Sequence, residues 1–213
     1  MTPADSSTRP ARERNRRGQG DRLREDLIAA ATAMVEADHG APLSLRSVAR
    51  RVGIAATSVY LHFPNLDQLL AAVVARSFAE LTATTADAAK GAKNPADELR
   101  RRCRAYCHFG LDHPNLYQLI FQTELPQATL GDNPADTPGL RAFDNLVAAI
   151  DRALEAGLAP PHDDTVRLAT LIWTADHGIV LARIARPTFP WPPLDPLVDE
   201  MVNRIMAFQM SVK

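Results

Sequence analysis

Residues 44–70 constrain the fold of this chain more than any other stretch, because they read as two short helices joined by a tight turn. Ser44 can cap the first helix by accepting a hydrogen bond from a free backbone N–H group. Apolar residues then recur at helical spacing: Leu45, Val48, Ala49 and Val52. Gly53 can end this helix in the left-handed backbone conformation. A second helix is expected from about Ala56 to Phe63, so the stretch predicts a helix-turn-helix.

The second helix of this unit is expected to have one buried and one exposed face. Val59 and Phe63 are expected to be buried, and Leu61 is also expected to face the core. Side chains at the start of such a helix can touch base edges or phosphates of DNA. The candidate DNA-contacting residues are Ser44, Arg46, Ala56, Thr57, Ser58, Tyr60 and His62. Among these, Thr57 and Ser58 stand where a side chain can read bases.

This unit resembles the DNA-binding domain of the TetR (tetracycline-repressor) family of bacterial transcriptional regulators over about residues 21–81. The matching residues are Ser44, Ala49, Gly53-Ile54, Tyr60-Leu61-His62-Phe63, Asp67 and Leu70. The family usually has a small residue and then lysine after the phenylalanine, whereas this chain has Pro64-Asn65-Leu66. The resemblance implies a cytoplasmic bacterial homodimer that binds an operator, most often as a repressor, and responds to a small ligand. It also implies that Tyr60 and His62 meet phosphates.

The charge of the chain is distributed unevenly, although the net charge is only -1. Residues 1–63 hold ten arginines and seven acidic residues, which gives +3 and leaves -4 for the remainder. DNA binding requires positive charge at the helix-turn-helix end. Residues 1–20, with five arginines, are expected to form a disordered arm that is either a solvated tail or a contact to phosphates or the minor groove. The arm lacks the long apolar segment and cleavage site of a secretory signal.

Helical patterns account for the remainder of the chain, and no period-two alternation is long enough to suggest a sheet. Helices are expected over about 21–38, 65–89, 95–112, 114–123, 138–156, 163–185 and 195–209, with a mobile loop at 124–136. The predicted fold class is therefore all-α. We expect a three-helix DNA-binding domain over 21–64 and a helical effector-binding and dimerisation domain over 65–213. The helix over 65–89 would connect the two domains.

The longest apolar stretch, Leu168 to Ala182, is interrupted by Asp176 and His177. It is expected to be too short and too polar to span a bilayer, so no membrane is expected among the partners. Small residues at near-helical spacing predict close packing against other helices: Ala169, Ala175, Gly178 and Ala182. Two terminal helices from each of two subunits would then form a four-helix dimer interface. The motif Trp173-x-x-x-His177-Gly178 is similar to the WHG-type C-terminal domain of some TetR-like regulators.

A pocket for a small, mainly apolar ligand is expected between residues 95 and 185. Its candidate lining residues are Tyr106, Phe109, Tyr117, Phe121 and Trp173. His177 or His108 would orient a polar group of the ligand. In the alternative interpretation, Trp173 fills the core, while His177 bonds to a buried carbonyl group or packs at the dimer interface.

Two cysteines one helical turn apart, Cys103 and Cys107, have His108 and His113 nearby. This spacing is compatible with a metal-responsive site, but reduced cysteines and histidines also occur in ordinary cores. No metal and no other cofactor is expected. A disulfide is not expected either, because the two Cβ atoms are poorly oriented for bridging and cytoplasmic thiols stay reduced.

Other function classes find little support in the sequence. It contains no Gly-rich phosphate loop, no nucleophile elbow and no His-Glu-x-x-His helix. Asp176-His177 would be half of a catalytic triad without a recognisable nucleophile, so an enzyme is not expected. The remaining rival is an architectural DNA-binding protein that has no effector. Ligand-dependent release from DNA would distinguish the two.

Overall fold

The computed structural model describes residues 19–37, 43–122, 137–162 and 164–208, and these residues form nine α-helices and no strand. The helices are α1 Gln19–Ala37, α2 Leu45–Val52, α3 Ala56–Val59, α4 Leu66–Ala89, α5 Pro95–Asp112, α6 Pro114–Gln122, α7 Pro138–Glu155, α8 Thr165–Ala185 and α9 Leu194–Met206. The predicted all-α fold is confirmed. The predicted loop over 124–136 and residues 1–18 of the predicted arm lie outside the described residues, while residues 19 and 20 belong to α1.

Local capping interactions set the helix starts where the sequence predicted them. The side-chain oxygens of Asn65 and Asn94 accept hydrogen bonds from the N–H groups of residues three positions later, at 2.9 Å and 2.8 Å. Thr137 caps α7 in the same way. Each bond satisfies a backbone donor that has no partner inside its helix. At the other end of α7, Gly157 adopts a left-handed φ of 66°, which ends the helix as predicted.

The N-terminal three helices share a small apolar core with the beginning of α4. Leu27 from α1, Val48 from α2 and Val59 from α3 are fully buried there. Phe63 is also buried, with the guanidinium carbon of Arg24 5.0 Å from its ring centre. Since α1 packs on both α2 and α4, the helix-turn-helix is fixed to the first turns of α4.

The larger part of the protein is organised around α5. This helix packs against α4, α7, α8 and α9, while α6 lies against α1, α4 and α5. The residues of α5 that are buried include Leu99, Cys103 and Cys107. As a result, α4 and α6 both connect α1, which packs on the helix-turn-helix, to the helices around α5.

The expectation that the apolar stretch inside α8 is too short for a bilayer is wrong for the complete helix. By length and composition alone, α4 and α8 could each cross a membrane. Core helices of soluble proteins pass the same test. In this fold α8 packs against α5, α7 and α9, and it buries Leu168, Ile172 and Val180 together with the carboxyl group of Asp176.

Candidate functional site

The turn between α2 and α3 has the geometry that the sequence predicted. The Ser44 hydroxyl accepts a hydrogen bond from the Ser47 N–H group at 3.1 Å, and the Ser47 hydroxyl accepts one from the Ser44 N–H group at 3.0 Å. This reciprocal capping box fixes the start of α2. Gly53 follows with a φ of 78°, and its N–H group bonds to carbonyl oxygens of the last turn. The Ser44 side chain therefore shapes the motif through its cap.

The second helix of the motif is shorter than predicted, and the predicted orientation of Leu61 is wrong. Helix α3 ends at Val59, and hydrogen bonds from the N–H groups of Leu61 and His62 to residues three positions earlier tighten the chain into a turn. Val59 and Phe63 are buried, whereas Leu61 is 84% exposed. Residues four apart on a helical turn share a face, so the residue midway between them points the opposite way.

The other predicted DNA-contacting residues differ in exposure. Arg46, Thr57 and Tyr60 are exposed, while Ser44, Ala56, Ser58 and His62 are half-buried. Sequence reasoning left out two exposed arginines in the last turn of α2, Arg50 and Arg51. The sequence feature that could have identified them is the Arg-Arg pair shortly before Gly53. An arginine at this position can bind phosphates through its fixed fork of N–H donors.

A cavity of about 460 Å³ lies among helices α4 to α8. Five aromatic residues line it: Phe78, Tyr106, Phe121, Phe143 and Trp173. Its polar lining consists of Thr82, Thr85, Arg102, Asn145, Thr170 and Asp176, and the remaining lining residues are Leu81, Cys103, Gly139, Leu140, Ala142 and Leu146. A mostly apolar cavity of this size with a few polar groups suits a small organic molecule.

Three of the six predicted ligand-binding residues line this cavity, namely Tyr106, Phe121 and Trp173. Trp173 is 37% exposed, so the alternative in which it fills the core is wrong. The other three predicted residues are absent from the lining. Phe109 is buried with its ring 5.0 Å from that of His113, and Tyr117 and His177 lie behind the cavity wall.

Tyr117 and His177 hold one wall of the cavity in place through a chain of hydrogen bonds. The hydroxyl oxygens of Tyr106 and Tyr117 are 2.8 Å apart, and the Tyr117 oxygen is 2.7 Å from Nδ1 of His177. Burial raises the pKa of both tyrosines and lowers the pKa of His177. A neutral imidazole without a proton on Nδ1 can accept a hydrogen bond from the Tyr117 hydroxyl, and Tyr117 can then accept one from the Tyr106 hydroxyl. The partner of His177 is thus a tyrosine hydroxyl, not the buried carbonyl of the alternative interpretation.

Asp176 is a cavity residue that sequence reasoning missed. It is 3% exposed, and the Cys107 Sγ atom lies 3.5 Å from its Oδ1 atom. Burial raises the pKa of Asp176 to about 7, while hydrogen bonds from the Cys103 and Cys107 thiols act in the opposite direction. Burial also raises the pKa of both thiols, which keeps them protonated as donors. The sequence feature that could have identified Asp176 is its place as an acidic residue inside the longest apolar stretch of the chain.

The cysteines and histidines considered for a metal do not converge. Cys103 and Cys107 point into the core, whereas His108 is half-exposed and bonds to Asp195 at 2.7 Å. His113 bonds instead to a carboxylate of α1. Within the described ranges, no three His, Cys, Asp or Glu side chains are grouped as a metal site.

Helix α6 connects the cavity to α1, which packs on the first helix of the helix-turn-helix. The His113 ring, just before α6, bonds to the Glu36 carboxylate at the end of α1. The Asn115 side-chain amide donates to the Glu36 backbone carbonyl at 3.0 Å. At the other end of α6, Phe121 lines the cavity. A displacement of Phe121 by a bound molecule would therefore act on α1 through one short helix.

Comparison with known proteins gives matches for both parts of the chain. A family model described as bacterial regulatory proteins of the tetR family matches residues 28–73, and one described as a tetracyclin repressor-like C-terminal domain matches residues 99–207. A Rhodococcus sp. RHA1 protein of unknown function is similar in structure, with a TM-score of 0.73, 25% identity and coverage of 92% of this chain and 98% of its own.

Two further solved structures share the fold. A TetR family transcription regulator from Marinobacter aquaeolei VT8 has a TM-score of 0.61 and 22% identity, over 89% of this chain and 97% of its own. RolR, solved in complex with resorcinol, has a TM-score of 0.63 and 17% identity, over 91% of this chain and 92% of its own.

Proposed function

Because this chain belongs to the TetR family of DNA-binding transcriptional regulators, we propose that it is a cytoplasmic repressor released from its operator by a small, mainly apolar effector. The observation that carries the proposal is the aromatic cavity of about 460 Å³. Phe121 lines this cavity from α6, the same helix whose Asn115 side chain bonds to α1. The complex of the similarly folded RolR with resorcinol supports a small-molecule effector. We propose no catalytic activity.

The proposed output depends on the spacing of two recognition units. Paired recognition helices must lie about 34–36 Å apart to meet successive turns of one DNA groove. An effector changes DNA affinity only if it binds the two conformations unequally. Pressure on α4 and α6 from the cavity would rotate the helix-turn-helix in each subunit, and a small rotation is sufficient to lose the fit. An architectural protein without an effector would lack this response.

Asn115→Ala is expected to weaken the response to effector without abolishing either binding reaction. The substitution removes the bond to the Glu36 carbonyl but leaves the cavity lining and the helix-turn-helix unchanged. The coupling energy, typically about 1–3 kcal/mol, should fall without vanishing, because the His113 bond to Glu36 and the route through α4 remain. The operator is first identified by genomic footprinting, and operator release is then titrated with an effector found by screening small aromatic compounds. Full release of the Asn115→Ala variant at the wild-type effector concentration would exclude this route.

Two kinds of interaction are proposed within the DNA interface, and substitutions should separate them. Tyr60→Phe or His62→Ala should weaken binding to all DNA sequences alike, because these residues are proposed to meet phosphates. Replacing Thr57 and Ser58 should instead change sequence preference by about 1–3 kcal/mol for each good hydrogen bond to a base that is removed. A binding-site selection measures both effects. An unchanged preference in the Thr57 and Ser58 double variant would exclude these residues from base reading.

We propose dimerisation through α8 and α9. Leu171 on α8 is 51% exposed, and a Cβ atom placed on the exposed Gly178 would meet nothing within 4 Å, so this side of α8 is open to a close partner. Leu171→Glu should therefore shift the protein towards monomer in sedimentation experiments. Leu61→Glu serves as the control, since Leu61 is a more exposed leucine outside α8 and α9. A Leu171→Glu protein that remains dimeric would contradict this interface.

A further inference from the structure

The cavity contains one deeply buried acid that has no cation beside it among the described residues. Asp176 is 3% exposed, and its hydrogen-bond donors among the described residues are the thiols of Cys103 and Cys107. A thiol is a weak donor. A carboxylate taken out of water is stabilised chiefly by an opposite charge or by strong hydrogen bonds. The residues that the structure describes provide neither at this position, so the carboxyl group is available to a ligand.

Arg102, the cationic residue that lines the cavity, already forms a salt bridge within the protein. The Arg102 Nε atom lies 2.9 Å from a carboxylate oxygen of Glu98, which also binds Arg152 at 2.6 Å. These contacts lower the pKa of Glu98 and keep it ionised. An anionic ligand would have to compete with Glu98 for Arg102, whereas within the described part of the chain no cation competes with a cationic ligand at Asp176.

The aromatic lining also favours a positively charged ligand. The Trp173 ring centre lies 6.4 Å from that of Phe121 and 6.3 Å from that of Phe143, and Trp173 and Asp176 both line the cavity from α8. Aromatic faces attract cations, most strongly when water is excluded. We propose that the cavity selects an apolar, aromatic molecule with one protonated amine, which pairs with the Asp176 carboxylate while its rings contact Phe121, Phe143 and Trp173. The identification of this molecule as the effector rests on the proposed function.

Three probes of matched shape and different charge test the proposal: naphthylethylamine, naphthylethanol and naphthylacetate. Their affinities for the full-length protein, free of DNA, are measured by calorimetry at about pH 8, where Asp176 is ionised. The amine should bind roughly ten- to a hundredfold more tightly than the alcohol, because it brings a positive charge to the carboxylate whereas the alcohol offers only a neutral donor. It should also bind more tightly than the acetate. An alcohol or acetate that equals the amine, or an amine that fails to bind at about 1 mM, overturns the proposal.

Two substitutions test whether Asp176 is the source of the preference for the amine. Asp176→Asn should remove most of the advantage of the amine and change the affinity of the alcohol by less than about threefold. Asp199→Asn, which removes a half-buried acid that pairs with Arg104 outside the cavity, is the control and should keep the advantage. Equal reductions for amine and alcohol in Asp176→Asn would overturn the assignment. Circular dichroism checks that the variants fold, and the three probes test the wild-type protein independently of any variant.

Operator release is measured separately with the same probes, so the two proposals can fail independently. Asp176-dependent binding of the amine without release of DNA would support the ligand class and contradict the proposed repressor mechanism. Release of DNA by the alcohol or the acetate, unaffected by Asp176→Asn, would support the mechanism and overturn the ligand class.

Discussion

The free energy of unfolding of the wild-type protein is expected to fall by about 4 kcal/mol between about pH 4 and pH 7, and Asp176→Asn is expected to remove this pH dependence. The pKa of this carboxyl group is about 7 in the folded protein, compared with an ordinary value of 3.8. Within this window the folded protein keeps a proton that the unfolded chain has released. The free energy of unfolding must therefore fall as the pH rises, and the whole decrease is reached above about pH 7, where the buried carboxyl group is ionised.

The measurement is urea unfolding across this pH range at one fixed protein concentration, because dimerisation makes stability concentration-dependent. The thiols of Cys103 and Cys107 stay protonated throughout, so they do not contribute to the slope. Asp144→Asn, at an exposed position of α7, controls for the removal of one negative charge. Parallel curves for the wild-type and Asp176→Asn proteins would show that the buried carboxyl group is not the source of the slope.

Gly110→Ala is expected to destabilise the protein by about 2 kcal/mol, since it overfills the space between α5, α6 and α8. An added Cβ atom would lie 2.5 Å from Cγ1 of Val180 and 2.8 Å from Cδ2 of Tyr117. Neither neighbour can move easily. Valine in a helix has one strongly preferred rotamer, and hydrogen bonds to Tyr106 and His177 hold the Tyr117 hydroxyl. The steric cost thus exceeds the gain of about 1 kcal/mol in helix propensity.

Thermal or urea unfolding measures this effect, with Gly20→Ala as the control. Both glycines lie inside helices, but the nearest atom to a Cβ atom at Gly20 would be Cε1 of His62 at 3.9 Å, an ordinary van der Waals distance. Gly20→Ala should therefore leave stability unchanged or raise it by up to about 1 kcal/mol. If Gly110→Ala were as stable as the wild-type protein, the helices around α5 would have room to separate.

The helices and their ends were readable from the sequence, because local interactions set them. The caps at Asn65, Asn94 and Thr137 each join residues three positions apart, and Gly53 and Gly157 supply left-handed backbone at two helix ends. Apolar periodicity identified the buried faces. The extent of α3 was misjudged, because the same apolar spacing continues through the tightened turn after Val59.

The sequence by itself determined the all-α fold, the helix-turn-helix and the aromatic character of the larger domain. Only the tertiary structure decided which aromatic residues reach the cavity, since Tyr117 and Trp173 differ little in chemistry and much in position. It also decided the role of Asp176. The burial of a carboxyl group depends on helices far apart in the chain, and no local pattern shows that α5 will place Cys103 and Cys107 beside it.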